Sequence, residues 1–151
     1  MTQAERPRTT ALDEQLCFAL YTASRAMTSR YRPLLDALGI TYPQFLVLLV
    51  LWERGDTQVT GIGQALQLET GTLSPLLKRL EATGLVTRTR QSGDERSVLV
   101  GLTPQGRALE SRAAAVQREV GAATGLRDAE LAALRATLQM LTGGLRAPAA
   151  R

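Results

Sequence analysis

Residues 57–102 carry a pattern that leaves few folds open. Residues 60–66 read as a short helix, 67–69 as a turn, and 70–82 as a longer helix with Leu73, Leu76, Leu77 and Leu80 on one face at helical steps. Gly84 ends that helix, 85–90 form a strand, a polar tip at 91–95 contains Gly93, and 97–102 return as a second strand. A period of two puts Arg88 and Arg90 on one face and Val98, Val100 and Leu102 on another. Helix, turn, helix and a basic hairpin in that order make a winged helix-turn-helix.

The flanks are helical. From Leu12 the positions Leu12, Leu16, Ala19, Ala23 and Met27 form an amphipathic seam, with Thr10 as N-cap and Asp13 completing a capping box. Pro33 and Gly39 punctuate a short helical piece, and Pro43 opens a very apolar helix that runs through Trp52 to Gly55 and Asp56. Thr103 and Pro104 start a helix with Leu109, Ala113, Val116, Val120 and Ala123 on one stripe. Asp128 caps a last one carrying Leu131, Leu134, Leu138, Leu141 and Leu145. These terminal helices offer more apolar surface than one small winged module covers. The expected fold is therefore mainly α (α+β), with a winged helix-turn-helix at 41–102. It is inserted into a helical dimerisation region built from 1–40 and 103–151, as one intertwined domain. An intramolecular bundle competes for the same seams.

Charge does not identify the partner. The chain of 151 residues has a net charge of +4, spread as six basic and six acidic groups over 1–56, five and four over 57–102, and seven and four over 103–151. With no polybasic tail, nucleic acid has to be met by a shaped element presenting a few placed cations. The absence of His and the single Cys argue against His general bases, Cys/His zinc sites and an internal disulfide, so neither an enzyme nor a metal or other cofactor is expected. No apolar run approaches the roughly 18 residues of a membrane span, and residues 1–10 lack a secretory signal. A reducing cytoplasm is the expected compartment, with no membrane partner.

A recognition helix shows small polar and long basic side chains to the major groove while its other face stays in the core. Thr70, Thr72 and Ser74 have donors for base edges or phosphates, the Pro75 ring suits a thymine methyl, and Lys78 and Arg79 come late enough to meet phosphates. An amphipathic surface helix has the same composition. The wing tips the balance towards double-stranded DNA: Arg88 and Arg90 line a strand, Arg96 near the tip has the reach to enter a minor groove, and Asp94 can orient its guanidinium.

Three segments carry a family resemblance. They are Gly71-Thr72-Leu73-Ser74-Pro75-Leu76-Leu77-Lys78-Arg79-Leu80-Glu81, Asp94-Glu95-Arg96-Ser97-Val98 and Leu102-Thr103-Pro104-Gln105-Gly106, which resemble the MarR family of dimeric winged-helix regulators. The stretches Leu16-Cys17-Phe18-Ala19-Leu20-Tyr21, Tyr31-Arg32-Pro33-Leu34-Leu35 and Leu38-Gly39-Ile40-Thr41-Tyr42-Pro43-Gln44-Phe45 are similar to its peroxide-sensing branch, the organic hydroperoxide resistance regulators (OhrR). The resemblance spans about residues 12–145. Relatives often carry a basic residue near the start of the 60–66 helix, where Thr60, Gly61 and Gly63 stand here, and Asp-Ser-Gly where this chain has Glu69-Thr70-Gly71. Those departures predict a weaker phosphate contact and a different operator sequence.

The lone Cys17 has two readings. Most such residues are inert core groups. Here the thiol stands in the early turns of a helix, whose dipole weakly favours thiolate, and Tyr21 follows one turn later on the same side as a hydroxyl donor. Tyr21, Tyr31 and Tyr42 all follow closely, but spacing does not show that their rings converge on the sulfur. The resemblance implies that Cys17 is peroxide-reactive and that tyrosines at Tyr31 and Tyr42 hydrogen-bond it across a homodimer interface, with Tyr21 nearby. An apolar pocket including Leu16, Phe18 and Leu20 then favours bulky organic hydroperoxides. No second Cys exists to resolve a sulfenic acid, so a low-molecular-weight thiol is the expected partner after oxidation. The implied function is a dimeric repressor that leaves a palindromic operator when Cys17 is oxidised. The alternative is a MarR-type repressor released by a small phenolic ligand, with Cys17 uninvolved. A thiol peroxidase lacks a resolving Cys and an Arg or Thr motif beside Cys17, and a purely structural bundle is the remaining option.

Overall fold

The computed structural model describes residues 10–91 and 97–149, and the fold is mostly helical with a small three-stranded antiparallel sheet. In chain order the elements are α1 (Leu16–Asp36), α2 (Tyr42–Arg54), β1 (Thr57–Gln58), α3 (Val59–Leu66), α4 (Thr70–Ala82), β2 (Val86–Arg90) and β3 (Val98–Leu102). They are followed by α5 (Pro104–Ala108), α6 (Glu110–Ala123) and α7 (Asp128–Arg146). The winged helix-turn-helix read from the sequence is present.

The core gathers around α2. Thr41 and Gln44 close a capping box, the Gln44 N–H donating to Thr41 Oγ1 at 3.3 Å and the Thr41 N–H to Gln44 Oε1 at 2.9 Å. Beyond this cap Phe45, Val47, Leu48, Val50 and Leu51 are buried against Ile62 of α3, Leu73, Leu77 and Leu80 of α4, and Val86 and Val100 of the sheet. From the C-terminal side Leu109, Ala113, Val116 and Val120 join the same core, while α1 lies along α6 and α2.

Several local expectations are corrected. Residues Leu12–Glu14 form a single 3-10 turn, and α1 starts at Leu16 after Gln15, without the Thr10 and Asp13 capping box. The helix then runs unbroken through Pro33. A proline there withholds one N–H from the Ser29 carbonyl, but Leu34 and Leu35 continue to pack on the core and keep the helix going. The helix expected from Pro104 is divided at Leu109 into α5 and α6. The N-cap of α7 is Arg127, not Asp128, and its N–H donates to Glu130 Oε2 at 2.8 Å. Strand β1 has no counterpart in the sequence reading. Thr57 pairs with Val100 and Gln58 with Leu99, which makes β3 the centre of the sheet.

The wing register overturns the expected facing of its arginines. Val86, Arg88 and Arg90 pair directly with Leu102, Val100 and Val98, and directly paired residues of antiparallel strands project to the same side. Arg88 and Arg90 therefore share the face of the valines. Close backbone approach explains two glycines: a Cβ on Gly106 would stand 2.1 Å from the Leu85 carbonyl oxygen, and one on Gly63 would stand 2.9 Å from that of Leu68.

Candidate nucleic-acid interface and thiol site

The turn before α4 is built to close tightly. Gln67 takes a left-handed conformation with φ 57°, and the Leu68 N–H returns to the Gly63 carbonyl at 2.9 Å. From there α4 presents Thr70, Thr72, Ser74, Pro75, Lys78 and Arg79 to solvent while Leu73, Leu77 and Leu80 are buried. One helix thus carries hydroxyls on its first turns, two cations on its later ones, and an apolar back. Pro75, inside the helix, cannot donate to the Gly71 carbonyl.

The wing is fastened to this helix at two places. Arg88 donates from Nε to Glu81 Oε2 at 3.2 Å and from Nη2 to Oε1 at 3.1 Å, and its backbone N–H also reaches Oε2 at 3.2 Å. These bonds hold the Glu81 carboxyl below the usual carboxylate range. Below them Thr103 Oγ1 donates to the Gly84 carbonyl at 2.6 Å and accepts the Gly106 N–H at 3.1 Å. The indole N–H of Trp52 donates to the Gly106 carbonyl at 2.9 Å, so α2, α5 and the end of α4 meet at one joint. Arg90 is exposed on the outer part of β2. Asp94 and Arg96 lie outside the described residues.

The thiol site is split along α1. Cys17 is exposed in the first turn, beside an exposed Leu16 and half-buried Phe18 and Leu20. Tyr21, 57% exposed, lies under the Arg25 guanidinium at 5.3 Å from the ring centroid. Tyr31 and Tyr42 form a separate pair, their ring centroids 5.2 Å apart, resting on Phe45 at 5.8 and 6.1 Å. Trp52 continues this aromatic row at 6.4 Å from Phe45. Burial pushes the Tyr31 hydroxyl above its ordinary range, helped by Tyr42, and burial alone does so for Tyr42. Both are therefore neutral donors at physiological pH. Between Cys17 and Tyr31 lie 14 helical steps, about 21 Å of rise, so one chain does not bring its thiol to its own tyrosine pair.

The sequence assigns no site role to Glu81, Trp52, Phe45 or Arg25. Only Arg25, one turn beyond Tyr21 on α1, had a visible signal; the others depend on contacts between elements. A cleft of about 750 Å³ separates α7 from the α1 and α6 face, lined among others by Met27, Tyr31, Val120, Leu131, Leu134 and Leu138. Among the described residues no group of His, Cys, Asp or Glu is placed to hold a metal ion, and no helix is long and apolar enough to cross a membrane.

The family model described as transcriptional regulator SarA/Rot matches residues 29–112. The organic hydroperoxide resistance transcriptional regulator of Bacillus subtilis (strain 168) is 55% identical over 102 residues, 68% of this chain and 69% of that protein. The HTH-type transcriptional regulator TtmR of Methylorubrum extorquens (strain PA1) is 45% identical over 157 residues, 99% of this chain and 80% of that one. Among solved structures, reduced AbfR bound to DNA is similar with a TM-score of 0.73 and 37% identity, covering 89% of this chain and 93% of that one. Its overoxidized form bound to DNA gives 0.71 and 38%, covering 87% and 93%. AbfR is a protein of Staphylococcus epidermidis.

Proposed function

The chain belongs to the SarA/Rot family of transcriptional regulators, as a DNA-binding winged-helix protein of MarR type, and on that premise we propose that it is a homodimeric repressor whose operator is released when an organic hydroperoxide oxidises Cys17. The observation that carries this reading is the division of the thiol site along α1: an exposed thiol at one end and a pair of neutral phenol donors about 21 Å away at the other. Two copies related by a twofold axis bring the thiol of each to the tyrosine pair of the other. The surfaces such an axis needs are apolar and uncovered, with Leu16 at 61%, Met27 at 45%, Leu134 at 47% and Leu145 at 77% exposure. Residues 1–40 and 103–151 then serve dimerisation, and 41–102 serve DNA.

In the chemistry proposed, the Cys17 thiolate attacks the terminal oxygen of the hydroperoxide. The O–O bond breaks, an alkoxide leaves and takes up a proton to become the alcohol, and sulfur gains the hydroxyl as a sulfenic acid. A low-molecular-weight thiol then condenses with it, releasing water and leaving a mixed disulfide. Hydroxyls from Tyr31 and Tyr42, with Tyr21 beside them, stabilise the thiolate, while Leu16, Phe18 and Leu20 favour an alkyl or aryl peroxide. On DNA, Thr70, Thr72, Ser74 and Pro75 face bases, Lys78 and Arg79 meet phosphates, and Arg90 and Arg96, the latter oriented by Asp94, follow the wing. An adduct at the dimer interface moves the two modules away from half-sites about 34 Å apart.

A second reading is favoured by the cleft under α7, whose apolar walls and Arg135 suit a small phenolic ligand. One experiment separates the two. Binding to the promoter of its own gene is measured by fluorescence anisotropy before and after a stoichiometric dose of cumene hydroperoxide with a small thiol, for the wild type and Cys17→Ser. Release by the wild type alone, with the adduct seen by mass, is the expected result; a Cys17→Ser protein that still lets go, or a wild type that stays bound, overturns the redox reading.

A further inference from the structure

Arg88 looks like a DNA-facing cation in the sequence, yet in the fold its guanidinium is engaged twice by Glu81, with distances of 3.2 and 3.1 Å, and its backbone N–H donates to the same carboxylate. Glu81 stands in the last turn of α4 and Arg88 in the middle of β2, opposite Val100, where the strand is already paired through β3 to β1. The covalent link between helix and strand contains Gly84 at φ 78°, a residue that adds no stiffness of its own. A bidentate carboxylate bridge with an added N–H bond restricts rotation in two directions where a single hydrogen bond restricts one.

We propose that Glu81 is a positioning residue for DNA binding, a clamp that fixes the angle between the recognition helix and the wing by occupying Arg88, which therefore makes no phosphate contact of its own. The leverage is sufficient. Gln91 lies three residues beyond Arg88, about 10 Å along the strand, so a tilt of roughly 10° at the clamp displaces it by about 2 Å, enough to break a hydrogen bond to DNA. Side-chain exposures of 31% for Arg88 and 42% for Glu81 leave the pair reachable by water and salt, so its contribution is to orientation more than to folding.

The test uses the reduced full-length protein without peroxide, so its outcome is independent of whether Cys17 senses anything. Affinity for a promoter fragment that the wild type binds is measured across a salt series for Glu81→Gln, Arg88→Ala, the double variant, and the exchanged pair Glu81→Arg with Arg88→Glu. Thermal melting confirms that each is folded. The expected result is that both single variants weaken binding by about tenfold, the double variant is no worse than either, and the slope of log affinity against log salt stays that of the wild type. The exchanged pair recovers most of the loss. A phosphate-binding Arg88 gives a different pattern: Arg88→Ala lowers the salt slope by about 1 per protomer, Glu81→Gln binds as well as or better than the wild type, and the exchanged pair is the weakest. That pattern, or no change in any variant, overturns the proposal.

Discussion

The winged module and the terminal helices treat their apolar residues in opposite ways. In the module Val47, Leu48, Ile62, Leu73, Leu80 and Val100 reach 0% exposure inside one chain. On α1 and α7 the seams remain open, with Leu16 at 61%, Leu134 at 47% and Leu145 at 77% exposure. The module's core is completed within one chain, by the module together with Leu35 of α1 and Leu109, Ala113, Val116 and Val120 beside it, while α1 and α7 also carry apolar positions with too little partner surface in the same chain. An apolar seam therefore specifies that something must cover it, without saying which chain supplies the cover.

The strongest way to break this contrast is to remove matched side chains from the two regions. Leu48→Ala should cost about 2–5 kcal/mol, read as a lower thermal midpoint, whereas Met140→Ala, 78% exposed and off the α7 seam, should change it by under about 0.5 kcal/mol. Equal losses would show that α7 is as well packed as α2. Next comes the proposed second copy. Leu134→Glu with Leu138→Glu should leave helix content intact by circular dichroism but halve the mass by sedimentation and weaken operator binding at least about 100-fold, because one half-site is lost. A protein that stays dimeric would assign the seam to the cleft within one chain.

The smallest effect concerns the tyrosine pair, which belongs to both regions. Burial raises both hydroxyls above the ordinary value of 10.0, so the folded state holds their protons more tightly than the unfolded chain does. Their contribution is fully present below pH 10 and is lost as the pH climbs from there through the raised folded values. Urea midpoints taken on either side of pH 10 should fall for the wild type and less for Tyr31→Phe with Tyr42→Phe.

What the sequence made legible follows the same division. Apart from β1, the order of elements from α2 to β3 was readable because each repeats a local signal: Pro43 at a helix start, leucines at steps of three and four in α4, Gly84 at its end. Features set by distance between elements were not. Strand β1 is two residues long, too short for a period, and exists because Val100 passes beside Thr57. The alternation within β2 and β3 was correct, but which faces coincide depends on the register across the tip, and a slip of one residue inverts it. Glu81 and Arg88 are seven residues apart over a helix, a turn and a strand, a spacing with no fixed meaning until the turn is known. For the proposed thiol site the sequence names candidate residues, while their division along α1 does not follow from spacing. Only the rise of α1 shows that Cys17 and Tyr31 of one chain stand far apart.

Trp52 is the sole tryptophan of the chain, and it closes the aromatic row from Tyr31 while its indole N–H holds Gly106 at the joint of α2, α5 and α4. Its emission therefore arises from the place where the terminal helices and the winged module are coupled. The protein carries its own optical probe: a shift in wavelength or anisotropy on oxidation, ligand addition or DNA docking reports movement at that joint, with no label to disturb it.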